Sequence, residues 1–213
     1  MDLTVIIPTI RANQPLLDKA IFQVRWTAPD AEIIVPEGGT FAENCNKGAA
    51  LAQSEVLVFL NDDTEVQPGW WQPLVAALED GAHVAGSRLI FSDGRLQHAG
   101  VYFTVDEHGI LWANNHTTPQ PSGPVDAVTG ACLAIRHNDF DTLDGFDEAF
   151  KSGYEDIDLC LRVRQAGGRI WYCADSTVIH HESQSGPARW AHTGENIARL
   201  NQLWGHRVDT TPT

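Results

Sequence analysis

Short apolar runs and stretches of helical period take turns along the first half of the chain. Leu3–Pro8 has the length and apolar content of a strand, and Leu16, Leu17, Ala20, Ile21 and Val24 follow at helical spacing. Glu32–Val35 predicts a second strand, and Phe41–Ala52 a helix with Phe41, Cys45, Ala49 and Ala52 on one face. Val56–Leu60 is apolar throughout, the mark of a strand covered on both faces. A helix follows Pro68-Gly69 to about Glu79, and Val84–Gly86 predicts a fourth strand. Strand and helix alternating in this way predict an α/β protein with a mostly parallel sheet and helices on both faces. Such sheets bind ligands beyond the carboxyl ends of their strands. Pro8-Thr9, Pro36-Glu37 and Asp62-Asp63 all fall at such ends, so these candidate contacts share one edge.

The second half has another texture, predicting a smaller, mixed β region. Arg88–Thr104 reads as a hairpin or meander turning at Ser92-Asp93-Gly94. His108–Pro124, rich in Asn, Thr, Pro and Gly, predicts a long mobile loop. Strand character returns in Val125–Arg136, around Thr129-Gly130-Ala131. Ile157, Leu161 and Ala166 mark one face of a helix after Gly153, widened by Leu159 and Val163. Ile170–Cys173 predicts a strand, Ser176–Ser183 a further short one, Glu195–Leu203 a last helix and Thr210–Thr213 a frayed tail.

Three clusters within this pattern carry chemistry. Asp62 and Asp63 sit side by side where the third strand should end. Adjacent carboxylates repel, and a divalent cation relieves them because hard cations take oxygen ligands. The plain alternative is a solvated turn. Glu155, Asp156 and Asp158 open the helix after Gly153. Asp158 is read as the i,i+4 partner of Arg162. One capping carboxylate would suffice, so Glu155 and Asp156 are left to explain. Finally, His180 and His181 end a strand, where neighbours point to opposite faces, so at most one of them faces a given site. A neutral imidazole suits the cation that Asp62 and Asp63 call for, although a lone strand histidine also serves as a hydrogen-bonded structural residue.

Charge narrows the ligand. The 213 residues suit one domain and carry 28 acidic against 14 basic side chains, a net charge of -14. That balance excludes nucleic-acid backbones and anionic membrane surfaces as partners. An anionic ligand would find little positive charge here unless a metal ion supplied it. Cys45, Cys132, Cys160 and Cys173 lie far apart beside apolar runs and read as reduced core residues, which points to the cytoplasm. The N-terminal apolar run is too short for a signal peptide, and no integral membrane segment is expected.

Taken in order, several segments resemble the inverting nucleotide-sugar glycosyltransferases of family 2, which have the GT-A fold with its Rossmann-like sheet. Val5-Ile6-Ile7-Pro8-Thr9 resembles the family's opening strand, and Phe59–Trp70 its DXD region. Asp93–Gly100 and Val128–Cys132 resemble its middle segments. Gly153–Arg162 resembles its ED motif, and His180-His181-Glu182-Ser183 its closing histidine segment. The resemblance covers about Thr4 to about Gly205, and the subset transferring rhamnose and related sugars in surface-polysaccharide assembly is the most similar.

The resemblance implies one domain over 1–213, with a nucleotide-binding half of about 1–104 and an acceptor and catalytic half of about 105–205. It implies a UDP-, dTDP- or GDP-linked sugar donor, a glycan or glycolipid acceptor, and Mn2+ or Mg2+. Asp63 matches the direct metal ligand and His180 the histidine completing the metal site. Asn61 and Asp62 match positions facing the ribose or the metal's water shell. Pro8 and Thr9 match the nucleoside pocket, Asp156 the catalytic base and Glu155 its neighbour. The 108–124 loop would then flank the acceptor side. The sequence departs from the family at two places: Pro36 stands where an acid usually reads the nucleobase, with Glu37 one place later, and Asn61 replaces the first DXD acid. Two alternatives remain: a GT-A domain that binds sugar or nucleotide without turnover, and a metal-dependent hydrolase using His180, Asp62 and Asp63.

Overall fold

The apolar run Val56–Leu60 (β3) is buried at every position, and the sheet extends to both sides of it. The computed structural model describes residues 2–11, 13–181 and 191–208. Leu3–Ile6 (β1) pairs parallel with β3, and Glu32–Ile34 (β2) pairs parallel with β1. On its other side β3 meets Cys132–Arg136, antiparallel. That strand is antiparallel in turn to Val84–Ile90, which pairs parallel with the long strand Ile170–His180. Between β3 and Val84–Ile90 the chain forms the short strand Thr64–Val66 (β4), so Val84–Ile90 is β5. Leu96–His98 (β6), Val101–Val105 (β7), Leu111–Asn115 (β8) and Gly123–Pro124 (β9) follow, making Cys132–Arg136 β10 and Ile170–His180 β11. The main sheet runs β2-β1-β3-β10-β5-β11-β4, with β6 on β5 and β9 on β11, and β7 and β8 form a separate hairpin. Strands β1, β2, β3, β5 and β11 all run one way, the mostly parallel sheet that the alternation predicts.

Alternate residues of the strands feed two cores. Leu57 and Phe59 of β3 face helices Phe41–Leu51 (α2), Glu155–Gln165 (α5) and Thr193–Trp204 (α6), together with Phe140 of the short helix His137–Thr142 (α4). Val56, Val58 and Leu60 face Gln14–Thr27 (α1) and Gln72–Glu79 (α3). Local signals place the helix starts. Asn13 caps α1 ahead of Pro15, and Thr40 and Glu43 form a reciprocal capping box on α2. Thus both faces are covered, the GT-A-type arrangement implied by the resemblance.

Several elements differ from the sequence expectation. The stretch read as a mobile loop, His108–Pro124, contains β8, paired residue by residue with β7 from Val101↔Asn115 to Val105↔Leu111. Its polar composition hid a strand whose other face is solvated. Thr129-Gly130-Ala131 is not strand but the approach to β10. The expected strand Val84–Gly86 runs on to Ile90, and the turn at Ser92-Asp93-Gly94 stands where expected. Ile170–Cys173 and the segment from Ser176 are one strand, β11. Its pairing slips between Cys173 and Thr177, and the inserted residues masked the continuity. Glu182 and Ser183 of the closing histidine segment, and the tail Thr210–Thr213, lie outside the described residues.

Candidate active site

The carboxyl end of β3 is shaped by a pairing the sequence did not suggest. After Leu60 the chain turns through Asn61-Asp62-Asp63, held by the Thr64 hydroxyl donating to Asn61 O at 2.7 Å. It then enters β4, which pairs antiparallel with the end of β11, His180 opposite Thr64. His181 N donates to Asp63 O at 2.9 Å and closes this zipper. The two histidines part as strand alternation requires. His180 Nε2 stands 3.2 Å from Asp63 Oδ1 and 3.3 Å from Asn61 Nδ2. His181 Nε2 turns away to Glu65 Oε1 at 2.7 Å, which Lys19 also reaches at 2.6 Å. Both Asp63 and His180 are buried.

The donor set fits a divalent cation completed by a ligand. Neighbouring ligands of an octahedral ion about 2.1 Å away sit about 3 Å apart, the spacing of Asp63 and His180. Among the described residues no group of three or more His, Cys, Asp or Glu could hold a metal. Two protein ligands leave the remaining positions to water and phosphate, as suits Mg2+-type sites. Asp62 faces elsewhere: its Oδ2 accepts from Thr9 Oγ1 at 2.5 Å. Burial pushes the Asp62 carboxyl above the usual range against this hydrogen bond, and the Asp63 charge adds to the rise.

Asp156 lies in the first turn of α5 and reaches across to the approach to β10. Its Oδ2 accepts from Gly130 N at 2.7 Å and its Oδ1 from Ile157 N at 2.8 Å. Burial raises its carboxyl above the ordinary range despite these bonds. A Cβ on Gly130 would come within 3.1 Å of Phe41 Cζ and 3.3 Å of Asp156 Cβ, so the glycine permits the close approach. Asn61 N donates to Ala131 O at 3.0 Å, which sets the Asp63 turn beside the Asp156 anchor. Glu155 does something different: it is buried, and its Oε2 accepts from Gly153 N at 2.6 Å, bracing the turn ahead of the helix. Tyr154 occupies the N-cap position in a left-handed conformation, φ 74°, without a side-chain cap.

One cavity of about 700 Å³ collects these parts. Pro8, Thr9, Asn61, Asp62, Asp63, Glu155, Asp156 and His180 all line it. Glu37 does not. It borders an adjoining depression of about 430 Å³, paired with Arg11 across the Thr9–Glu37 bridge that prolongs β1 and β2. Sequence reasoning missed Gln97, whose Oε1 lies 2.8 Å from His180 Nδ1, and the backbone role of Gly130. A glycine within an expected strand signals close backbone approach, so Gly130 had a signal. Gln97 had none.

Comparison with known proteins now identifies the fold. The profile of glycosyl transferase family 2 matches residues 28–142, more than half of the chain. The chain belongs to that family. A second profile, the N-terminal domain of galactosyltransferase, matches residues 113–182 of this family 2 chain. Among curated relatives, the O-antigen biosynthesis protein RfbC of Myxococcus xanthus is 36% identical over 155 residues, covering 66% of this chain and 12% of its own length. The N-acetylglucosaminyl-diphospho-decaprenol L-rhamnosyltransferase of Mycobacterium tuberculosis is 37% identical over 85 residues, covering 36% of this chain and 28% of its own. The family 2 chain therefore spans a minor part of the length of the curated relatives it matches. Among solved structures, GalNAc-T7 with UDP, GalNAc and Mn2+ is 17% identical, covers 95% of this chain and 48% of its own, and superposes with a TM-score of 0.76. No helix among the described residues is long and apolar enough to cross a membrane.

Proposed function

We propose that this chain transfers a sugar from a nucleoside-diphosphate sugar to an acceptor hydroxyl, with inversion at the anomeric carbon. Asp63 and His180 would hold a divalent cation, Mn2+ or Mg2+, beside the donor's diphosphate. When bound, that cation offsets the negative charge that develops on the departing diphosphate. Thr9, Asp62 and Asn61 line the donor side, and Glu37 with Arg11 borders the depression suited to the nucleobase. Asp156 takes the acceptor hydroxyl's proton as its oxygen attacks the anomeric carbon, and Glu155 holds the turn that places it. The observation that carries this reading is the meeting of two separate carboxylate sites in one cavity, one beside an imidazole and one at a helix start. UDP and Mn2+ in the GalNAc-T7 structure support the donor and metal parts. The O-antigen and rhamnosyltransferase relatives support a glycan or glycolipid acceptor in polysaccharide assembly.

We read the chain as one domain, because strands from both halves share the main sheet. Its four buried, unpaired cysteines suit the reducing cytoplasm. A hydrolase using a metal-activated water commonly brings three protein ligands, which the described residues do not assemble.

Asp156→Asn tests the reading. Asparagine keeps the shape and one acceptor oxygen. A base role predicts normal donor binding with transfer reduced by about 100-fold or more. The raised carboxyl also fixes signs with pH. Wild-type transfer should fall as pH drops through the Asp156 value, where the base is protonated. A folded pKa above the unfolded one favours the fold below the unfolded value, and that benefit is lost as pH rises through the folded value. In Asp156→Asn the relief of that buried charge works against the loss of one acceptor, because Gly130 N and Ile157 N use both carboxylate oxygens, so stability at neutral pH should change little. Undiminished transfer in the folded variant would leave Asp156 a structural residue.

A further inference from the structure

The imidazole of His180 presents a chosen nitrogen to Asp63, and the choice is made from its other side. Gln97 sits on β6, the short strand paired antiparallel to β5. Pairing runs from Leu89↔His98 to Ile90↔Leu96, so Gln97 is the extra residue of a bulge between these two pairs. Bulges re-aim side chains and recur beside active sites. Here the bulge lets two successive residues, Gln97 and His98, both be buried, where a regular strand would send one to each face. Gln97 reaches past β5 to β11, which pairs with β5 at Ile179↔Ile90, and ends with Oε1 2.8 Å from His180 Nδ1.

From this we infer that Gln97 is a positioning residue: it accepts the Nδ1 proton of His180 and so holds the ring with the Nε2 lone pair toward Asp63. Asp63 Oδ1, 3.2 Å from Nε2, competes for the proton when no cation stands between them, whereas the other contact to Nε2 agrees with the inference. The Asn61 Nδ2 amide lies 3.3 Å from Nε2 and is a donor, matching a lone pair on that nitrogen. A histidine that ligates through one nitrogen needs the proton kept on the other, and a hydrogen-bond acceptor there fixes both tautomer and ring orientation. The inference rests on the reading of Asp63 and His180 as metal ligands, and adds a residue that touches neither ion nor donor.

The test uses the whole chain with two variants and two readouts. Gln97→Leu keeps the size and removes the acceptor, and Gln97→Glu keeps an acceptor only. Nitrogen-15 spectra of the metal-free protein at about pH 8, where an ordinary imidazole is neutral, read which His180 nitrogen carries the proton. Mn2+ alone, followed by the resonance of the free ion, reads affinity. The wild type and Gln97→Glu should show the proton on Nδ1, and Gln97→Leu should lose that preference. Gln97→Leu should bind Mn2+ about 10- to 100-fold more weakly, while Gln97→Glu binds at least as tightly as the wild type. A proton on Nε2 in the wild type, or an unchanged spectrum in Gln97→Leu, overturns the role given to Gln97. His180→Ala is the control: unchanged Mn2+ binding there overturns the metal site itself, and with it Gln97's bearing on the ion, a failure the ring spectrum keeps distinct.

Discussion

His98, next to Gln97 in the bulge, is a buried imidazole with its Nδ1 3.1 Å from Asn115 Oδ1. Its Nε2 has no partner among the described residues. Burial lowers its pKa to about 4, so it stays neutral in the fold. The unfolded chain binds the proton first, near the ordinary value of about 6.5. Stability should therefore fall as pH drops from about 6.5 toward about 4, by up to about 3 kcal/mol. Urea denaturation at about pH 7 and about pH 4.5 measures that loss, and His98→Gln should flatten it. Parallel losses in both proteins would assign the acid sensitivity to other groups. The Asp93–Gly100 segment draws attention to this stretch, but nothing local in the sequence shows that His98 is buried and neutral. Its neutrality comes from what β5, β8 and β6 together exclude, and burial of that kind is not periodic.

At the scale of elements, α5 is fastened by the carboxylate that the sequence reads as structural. Asp158 Oδ2 accepts from Arg162 Nε at 2.8 Å, as the i,i+4 spacing implies, and its Oδ1 accepts from Trp204 Nε1 at 2.8 Å. Arg162 also donates to Leu143 O and Gly145 O, so one buried cluster joins α5, α6 and the turn after α4. Asp158→Ala leaves a half-buried guanidinium and an indole N–H without their acceptor, a loss of about 3–5 kcal/mol. Asp158→Asn, which can still accept from Trp204, should lose less. Equal midpoints in chemical denaturation for all three proteins would show that the cluster does not hold the helices. The partner Arg162 was legible because it is local, and Trp204 was not because it is distant in sequence. The same divide runs through the elements. Strands β1 and β3 and helices α1 and α2 announce themselves by runs, periods and caps. Strand β8, Leu-Trp-Ala-Asn-Asn, becomes a strand only through its ladder with β7. Asp63 and His180 could each be singled out as the end of a strand, yet β4, three residues long, is what brings them together.

For the molecule as a whole, the order of strands in the sheet departs most from their order in the chain. Between β3 and β5 lies β10, made of residues far downstream of both, and β11 covers the other side of β5. A nucleotide-binding half and a catalytic half, if the proposed reading holds, would differ in what they contact. They do not divide the fold. A fragment of residues 1–104 would retain β1, β2, β3 and β5, with β6 still at the end of β5, yet leave the apolar strand β3 with an open edge and β5 without β10 and β11. Such edges pair with other chains. Expressed alone, that fragment should aggregate, as size-exclusion chromatography would show, and a monomer with cooperative unfolding would contradict the expectation. During synthesis the consequence is one of timing. β1, β2 and β3 leave the ribosome early and can pair with one another, but β3 is joined to β5 only after Arg136 has emerged, and β5 to β4 only after His180. Until then the nascent chain carries unpaired edges that other chains can join.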